Sequence, residues 1–159
     1  MLNKIKTYFL LLGVVFLGVC GCDDGLELQD EVAWKKVCTK WGTSSSKVKE
    51  MMSTYSIKKT SSDIITYKGK YPVSAISYQF SGDSLCAVAL VIDAVLTDKA
   101  KIQSSFIGYE SLGEFDSNEL YVDYKTKTLV TLTSYMKNQI EYYSVGYADL
   151  GNIVVDVGK

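Results

Sequence analysis

The chain has 159 residues, 47% hydrophobic and 22% charged, with 17 Lys+Arg against 18 Asp+Glu for a formal net charge of −1. That length fits one domain plus a targeting segment, and the apolar fraction is too high for intrinsic disorder. Every basic residue is Lys and His is absent, which excludes a His-based triad, imidazole ligation of zinc or haem, and a bidentate Arg clamp, while the near-neutral charge offers no general field for nucleic acid. In chain order, Lys4 and Lys6 form a positive n-region and Tyr8 to Val19 an uncharged apolar run, closed by small residues at Cys20-Gly21-Cys22. This is the layout of a secretory signal peptide, and the run is shorter than the roughly 20 residues that span a bilayer.

Val19-Cys20-Gly21-Cys22 also resembles a bacterial lipobox, with Cys22 as the residue to be acylated. Cys20 is the poorer acceptor, because Val19 stands where lipoproteins favour Gly, Ala or Ser. The resemblance implies removal of residues 1–21, attachment to the membrane through lipid on Cys22, and a solvated tether over residues 22–30. Asp23-Asp24 resembles the export tags of surface lipoproteins in Bacteroides-like bacteria, so the expected location is the outer membrane or cell surface. In enteric bacteria the same acidic residues would favour retention at the inner membrane.

Residues 31–159 read as a single α+β domain, with candidate halves 31–95 and 97–159. Asp30 can cap a first helix whose stripe is Trp34, Val37, Cys38 and Trp41, stopping at Gly42. Thr43 to Ser46 offer caps for a second helix with the stripe Val48, Met51, Met52 and Tyr55, giving an αα-hairpin. The period then changes to two. Strands are predicted over 63–71, 74–80 and 85–94, and the run Leu85 to Asp93 is apolar on both faces, as a covered central strand would be. Thr97-Asp98 caps a further helix with Ile102, Phe106, Tyr109 and Leu112 inward, ending near Gly113. Strands 119–124, 128–136 and 139–147 complete an antiparallel meander, and residues 153–157 can add an edge strand. Ile76, Tyr78, Phe80 and Leu85 match Leu120, Val122, Tyr124 and Leu129 at a constant offset, the mark of a tandem helix-plus-strands repeat or of two hairpins with equal turns.

Trp41, Gly42, Thr43, Val48, Met51 and Tyr55, followed by Tyr78, Phe80 and Leu85, form a pattern found in small bacterial lipoproteins and periplasmic inhibitors. It resembles the β-lactamase-inhibitor-protein-like fold, also used by the small lipoprotein of the outer-membrane β-barrel assembly machine. The likeness covers most of residues 30–95 and, more faintly, 97–147. It implies an αα-hairpin packed on an antiparallel sheet and a binding or scaffolding role, with no partner named by fold alone.

Catalytic chemistry finds little support. Ser44, Ser46 and Ser56 each precede a Lys by three positions, as in penicillin-binding enzymes, but the companion motifs are missing and helix capping accounts for the serines. Glu114, Asp116, Asn118 and Glu119 lack the Gly and distal Glu of a calcium loop, and a solvated turn accounts for them. Asp93, Glu110, Asp123 and Glu141 could supply a carboxylate pair only if two met across a cleft. No catalytic residue, metal or cofactor is expected.

Of the 12 tyrosines, Tyr121, Tyr124, Tyr135, Tyr142, Tyr143 and Tyr147 lie in the C-terminal strands. They are a candidate binding face, since Tyr offers large contact area at low entropic cost, although β-propensity alone accounts for them. After maturation Cys38 and Cys86 remain, able to form one disulfide or to stand as two buried thiols. The leading expectation is a lipid-anchored extracytoplasmic module without catalysis that engages a protein partner and no nucleic acid. The alternative is a small-ligand or glycan-binding lipoprotein of a nutrient-uptake system.

Overall fold

Alternating apolar and polar side chains, punctuated by tight turns, fold the chain into one antiparallel sheet. The computed structural model describes residues 37–152. The leader, Cys22, the tether, Trp34 and the tail 153–159 lie outside the described residues. Helix α1 spans Ser45–Met51 and is followed by β1 (Ile57–Thr60), β2 (Ile64–Lys68), β3 (Val73–Ser81) and β4 (Ser84–Asp93). A second short helix, α2 (Lys99–Gln103), runs into a 3-10 turn at Ser104–Phe106, then β5 (Glu110–Phe115), β6 (Asn118–Asp123), β7 (Thr128–Lys137) and β8 (Ile140–Asp149).

The eight strands form a single sheet in the order β1-β2-β3-β4-β8-β7-β6-β5. Two four-strand meanders thus meet along one antiparallel ladder, Ala87↔Ala148 to Asp93↔Tyr142. The offset match seen in the sequence aligns β3 with β6, whereas the order places β3 opposite β7 about this seam. That register therefore does not relate the two meanders.

One face carries the core. Ile65, Tyr67, Ile76, Tyr78, Val88, Leu90, Ile92, Val130, Leu132, Tyr143, Val145 and Tyr147 pack there against Cys38, Val48 and Met52 on one side and Ile102 and Phe106 on the other. The middle of the opposite face carries small residues, with Thr66, Ser77 and Ala89 in one cross-strand row. These are buried too, and Thr66 and Ser77 satisfy each other across 2.9 Å. The long apolar run of β4 is accordingly central and buried on both faces.

The predicted αα-hairpin on a sheet is overturned: the molecule is mostly sheet, and the described residues hold only two short α-helices. Where the stripe of Val37, Cys38 and Trp41 predicts a helix, the backbone is irregular. Gly42 adopts a positive φ of 80° and donates its N–H to Leu85 O (3.0 Å), while Leu85 N–H donates to Thr43 O (2.9 Å). Strand-type bonds to β4 have displaced the helical ones. The apolar residues still face inward: Cys38 joins the core, and Trp41 is half-buried with Nε1 donating to Thr128 Oγ1 at 3.1 Å.

The predicted helix ending near Gly113 is likewise shorter. Asp98 caps α2 by accepting from Lys101 N–H at 2.7 Å, and Ile102 and Phe106 are buried as the spacing requires. Gly108, with φ +96°, then turns the chain into β5, and Leu112 is half exposed on that edge.

Candidate interaction surface

Short two-residue turns deliver the functional candidates to one end of the sheet. The β7–β8 turn at Asn138-Gln139 has both residues at positive φ, the mirror-image geometry that matches strand twist. It brings Lys137 opposite Ile140, Met136 opposite Glu141 and Tyr135 opposite Tyr142. The end of β4 lies alongside, with Asp93 opposite Tyr142 and Ala94 N–H donating to Glu141 O at 3.2 Å. Asp93 also accepts from Val95 N–H at 3.0 Å, which fixes the loop that follows. This end of the sheet exposes four large apolar side chains, Val95 at 78%, Met136 at 66%, Ile140 at 41% and Leu96 at 37%. Met136 projects from the core face of the hairpin and Ile140 from the face that carries Tyr135 and Tyr142. Those two tyrosines stack, their ring centroids 5.7 Å apart and planes 23° from parallel.

The six sequence-predicted tyrosines do not form one face. Tyr143 and Tyr147 lie in the core, and burial pushes the Tyr147 hydroxyl well above its ordinary pKa. Tyr121 packs against Phe106 (centroids 5.0 Å) and donates to Glu119 Oε2 at 2.6 Å. Tyr124 is 65% exposed at the β6–β7 turn, the end of the sheet away from the Tyr135–Tyr142 pair. Only that pair is brought together with the exposed tip. Val95, Leu96, Met136 and Ile140 were missed because isolated exposed aliphatics carry no mark in the sequence. The break at Lys137-Asn138 between the strands expected over 128–136 and 139–147 was the available signal.

Glu119 is a largely enclosed carboxylate, its side chain 18% exposed. Its Oε1 lies 2.5 Å from Lys99 Nζ, while Oε2 accepts from Gln103 Nε2 at 2.7 Å and from Tyr121. Burial acts to raise this carboxyl, but the hydrogen bonds from Lys99, Tyr121 and Gln103 outweigh it and hold it below the ordinary value. Tyr121 is pushed up to about 12, by burial first and then by donating to Glu119. This cluster ties α2 to β6 and is fully satisfied.

The other acidic candidates do not converge. Glu114 and Asp116 are exposed at the β5–β6 turn, where the Asn118 amide donates to Phe115 O and Asp116 O. Asp123 accepts from Lys125 N–H and Thr126 Oγ1, at the end of the sheet opposite Asp93 and Glu141, and Glu110 is on an edge strand. Among the described residues no His/Cys/Asp/Glu group could hold a metal ion. Ser44 caps α1 by accepting from Lys47 N–H at 3.4 Å.

The disulfide candidates are both free thiols. Cys38 is in the core, while Cys86 is half-buried at a bulge beside Gln79, whose carbonyl lies 3.4 Å from its sulfur. Beneath α1 a cavity of about 190 Å³ is lined by Val37, Cys38, Met51, Met52, Tyr55, Ile76 and Tyr78. The Tyr78 hydroxyl, pushed up to about 12 by burial, donates to Met52 Sδ at 3.4 Å. No family model, curated protein or solved structure matches the chain.

Proposed function

We propose that the protein is a lipid-anchored extracytoplasmic binding module, without catalysis, that engages a protein partner through the exposed tip of its central hairpins. The observation that carries this reading is where the exposed apolar residues sit along the strands. The chain enters the sheet at Gly42 to Ser44, beside the start of β4, whereas Val95, Leu96, Met136 and Ile140 lie at the other end of that strand. Ten strand residues separate the two ends, roughly 30 Å at the usual rise. A tether attached at the entry end would hold the tip away from the bilayer. Exposed apolar side chains gathered at one end of a sheet, here interspersed with Asp93, Lys137 and Glu141, suit contact with a protein partner.

A photo-crosslinking residue at Met136 or Ile140 of the full chain in cells should yield a discrete protein adduct, lost in the Val95→Glu variant. The same residue at Lys49, on the exposed side of α1, should yield none. No adduct from either tip position would overturn the reading. Anchoring is tested separately by palmitate labelling: wild type and Cys20→Ala should incorporate label, and Cys22→Ala should not.

The small-ligand alternative draws support from the cavity under α1. Its small volume and its mixed lining of Met, Val, Ile, Cys and Tyr suit a small aromatic molecule better than a glycan. Isothermal titration with benzene-sized aromatics, compared with simple sugars, tests that reading.

A further inference from the structure

The sheet is open, and its two edges are chemically opposite. Among the described residues β1 pairs only with β2, and β5 only with β6. All four residues of β1 are exposed, as are the first five of β5. The β1 edge offers Lys58, Lys59 and the half-exposed Ile57, and the β5 edge offers Glu110, Glu114 and the half-exposed Leu112. Each edge thus has two like charges and one large aliphatic side chain, with the sign reversed between them.

We infer that copies of this chain associate head to tail, β1 of one against β5 of the next, extending the sheet across molecules. An exposed strand edge is a row of unpaired backbone donors and acceptors, and charge on it normally prevents association. Here the charges discriminate instead. Pairing β1 with β1 sets four lysines together, and pairing β5 with β5 sets four glutamates together. Only the mixed pairing brings opposite signs together. Register places Lys59, opposite Thr66, and Glu110, opposite Val122, on the face away from the core cluster, while Ile57, opposite Tyr67, and Glu114, opposite Glu119, project from the core face. Because the two surfaces differ, the contact is heterologous, and it builds rings or open filaments rather than a closed two-fold dimer.

The test uses the full chain in detergent micelles and reads mass by sedimentation velocity. Wild type should form a concentration-dependent series of sizes at low salt that dissociates at high salt. K58E/K59E and E110K/E114K should each be monomeric with unchanged circular dichroism, and mixing the two variants should restore association. Hydrogen exchange on assembled wild type should show new protection at amides 58–60 and 111–114. A wild type that stays monomeric at every concentration overturns the inference. So do reversal variants that associate like wild type, a mixture that fails to associate, and assembly without protection at the edges.

Discussion

Glu119 shows how one side chain fixes an element. Three donors from two elements converge on its carboxylate, so α2 can sit on β6 in one arrangement only. Hydrogen bonds to a charged group contribute about 1.5–3 kcal/mol each when intact, and Glu119→Gln keeps the shape while removing the charge. That variant is expected to lose about 2 kcal/mol of unfolding free energy in urea, with the far-ultraviolet spectrum unchanged. The pH dependence follows from the lowered folded-state value of this carboxyl. Its stabilisation is present above the ordinary value of 4.5 and is lost as pH falls through the lower folded one. Stability of wild type should therefore drop in acid more steeply than that of Glu119→Gln, measured as urea midpoints between pH 6 and pH 3. Gly69 is a second such position, because a Cβ there would overlap the Val73 carbonyl. Gly69→Ala should cost about 1–3 kcal/mol, the range for forced overpacking, read from the same urea titration.

Elements were legible where side-chain alternation was long enough to outvote other patterns. β3, β4, β7 and β8 each run nine or ten residues, and their periodicity and flanking turns placed them within a few positions. β1 and β5 were not legible. Ile57-Lys58-Lys59-Thr60 has no apolar alternation because it covers nothing, and β5 was absorbed into a helical reading that Ile102 and Phe106 satisfied on their own. Cys38 and Trp41 show the general limit: spacing reports which side chains face inward, while long-range bonds to Leu85 decided the backbone. The interaction surface was legible only in part, since Tyr135 and Tyr142 could be assigned to strands but the loop that carries Val95 beside them is a tertiary fact. Turn chemistry gives an element-scale prediction. Asn138-Gln139 and Asp116-Ser117 both hold non-glycine residues at positive φ in second position. Gln139→Gly and Ser117→Gly should each stabilise by about 0.5–1 kcal/mol in thermal unfolding, by relieving that strain.

At the scale of the molecule, stability should be graded outward from the β4–β8 seam. β4 is buried on both faces and bonded on both edges, β3 is mostly buried, β8 is buried chiefly around Val145 to Tyr147, and the edge strands are exposed. Hydrogen exchange on dilute full-length chain is expected to protect the amides of β4 and β8 longest and those of β1 and β5 least. Equal protection across the sheet would contradict this ordering. The seam also sets the mechanical character of the fold. Antiparallel hydrogen bonds lie perpendicular to their strands, and those of β4 and β8 run from Ala87↔Ala148 at the entry end to Asp93↔Tyr142 at the tip. A pull between Leu85, where the entry segment bonds to β4, and the Asn138-Gln139 turn is directed along the strands. It loads the whole ladder in shear, all rungs at once, where a pull across the sheet would unzip them singly. The molecule is thus stiff along the one axis that joins its point of entry to its exposed tip, and compliant at the two edges beside it.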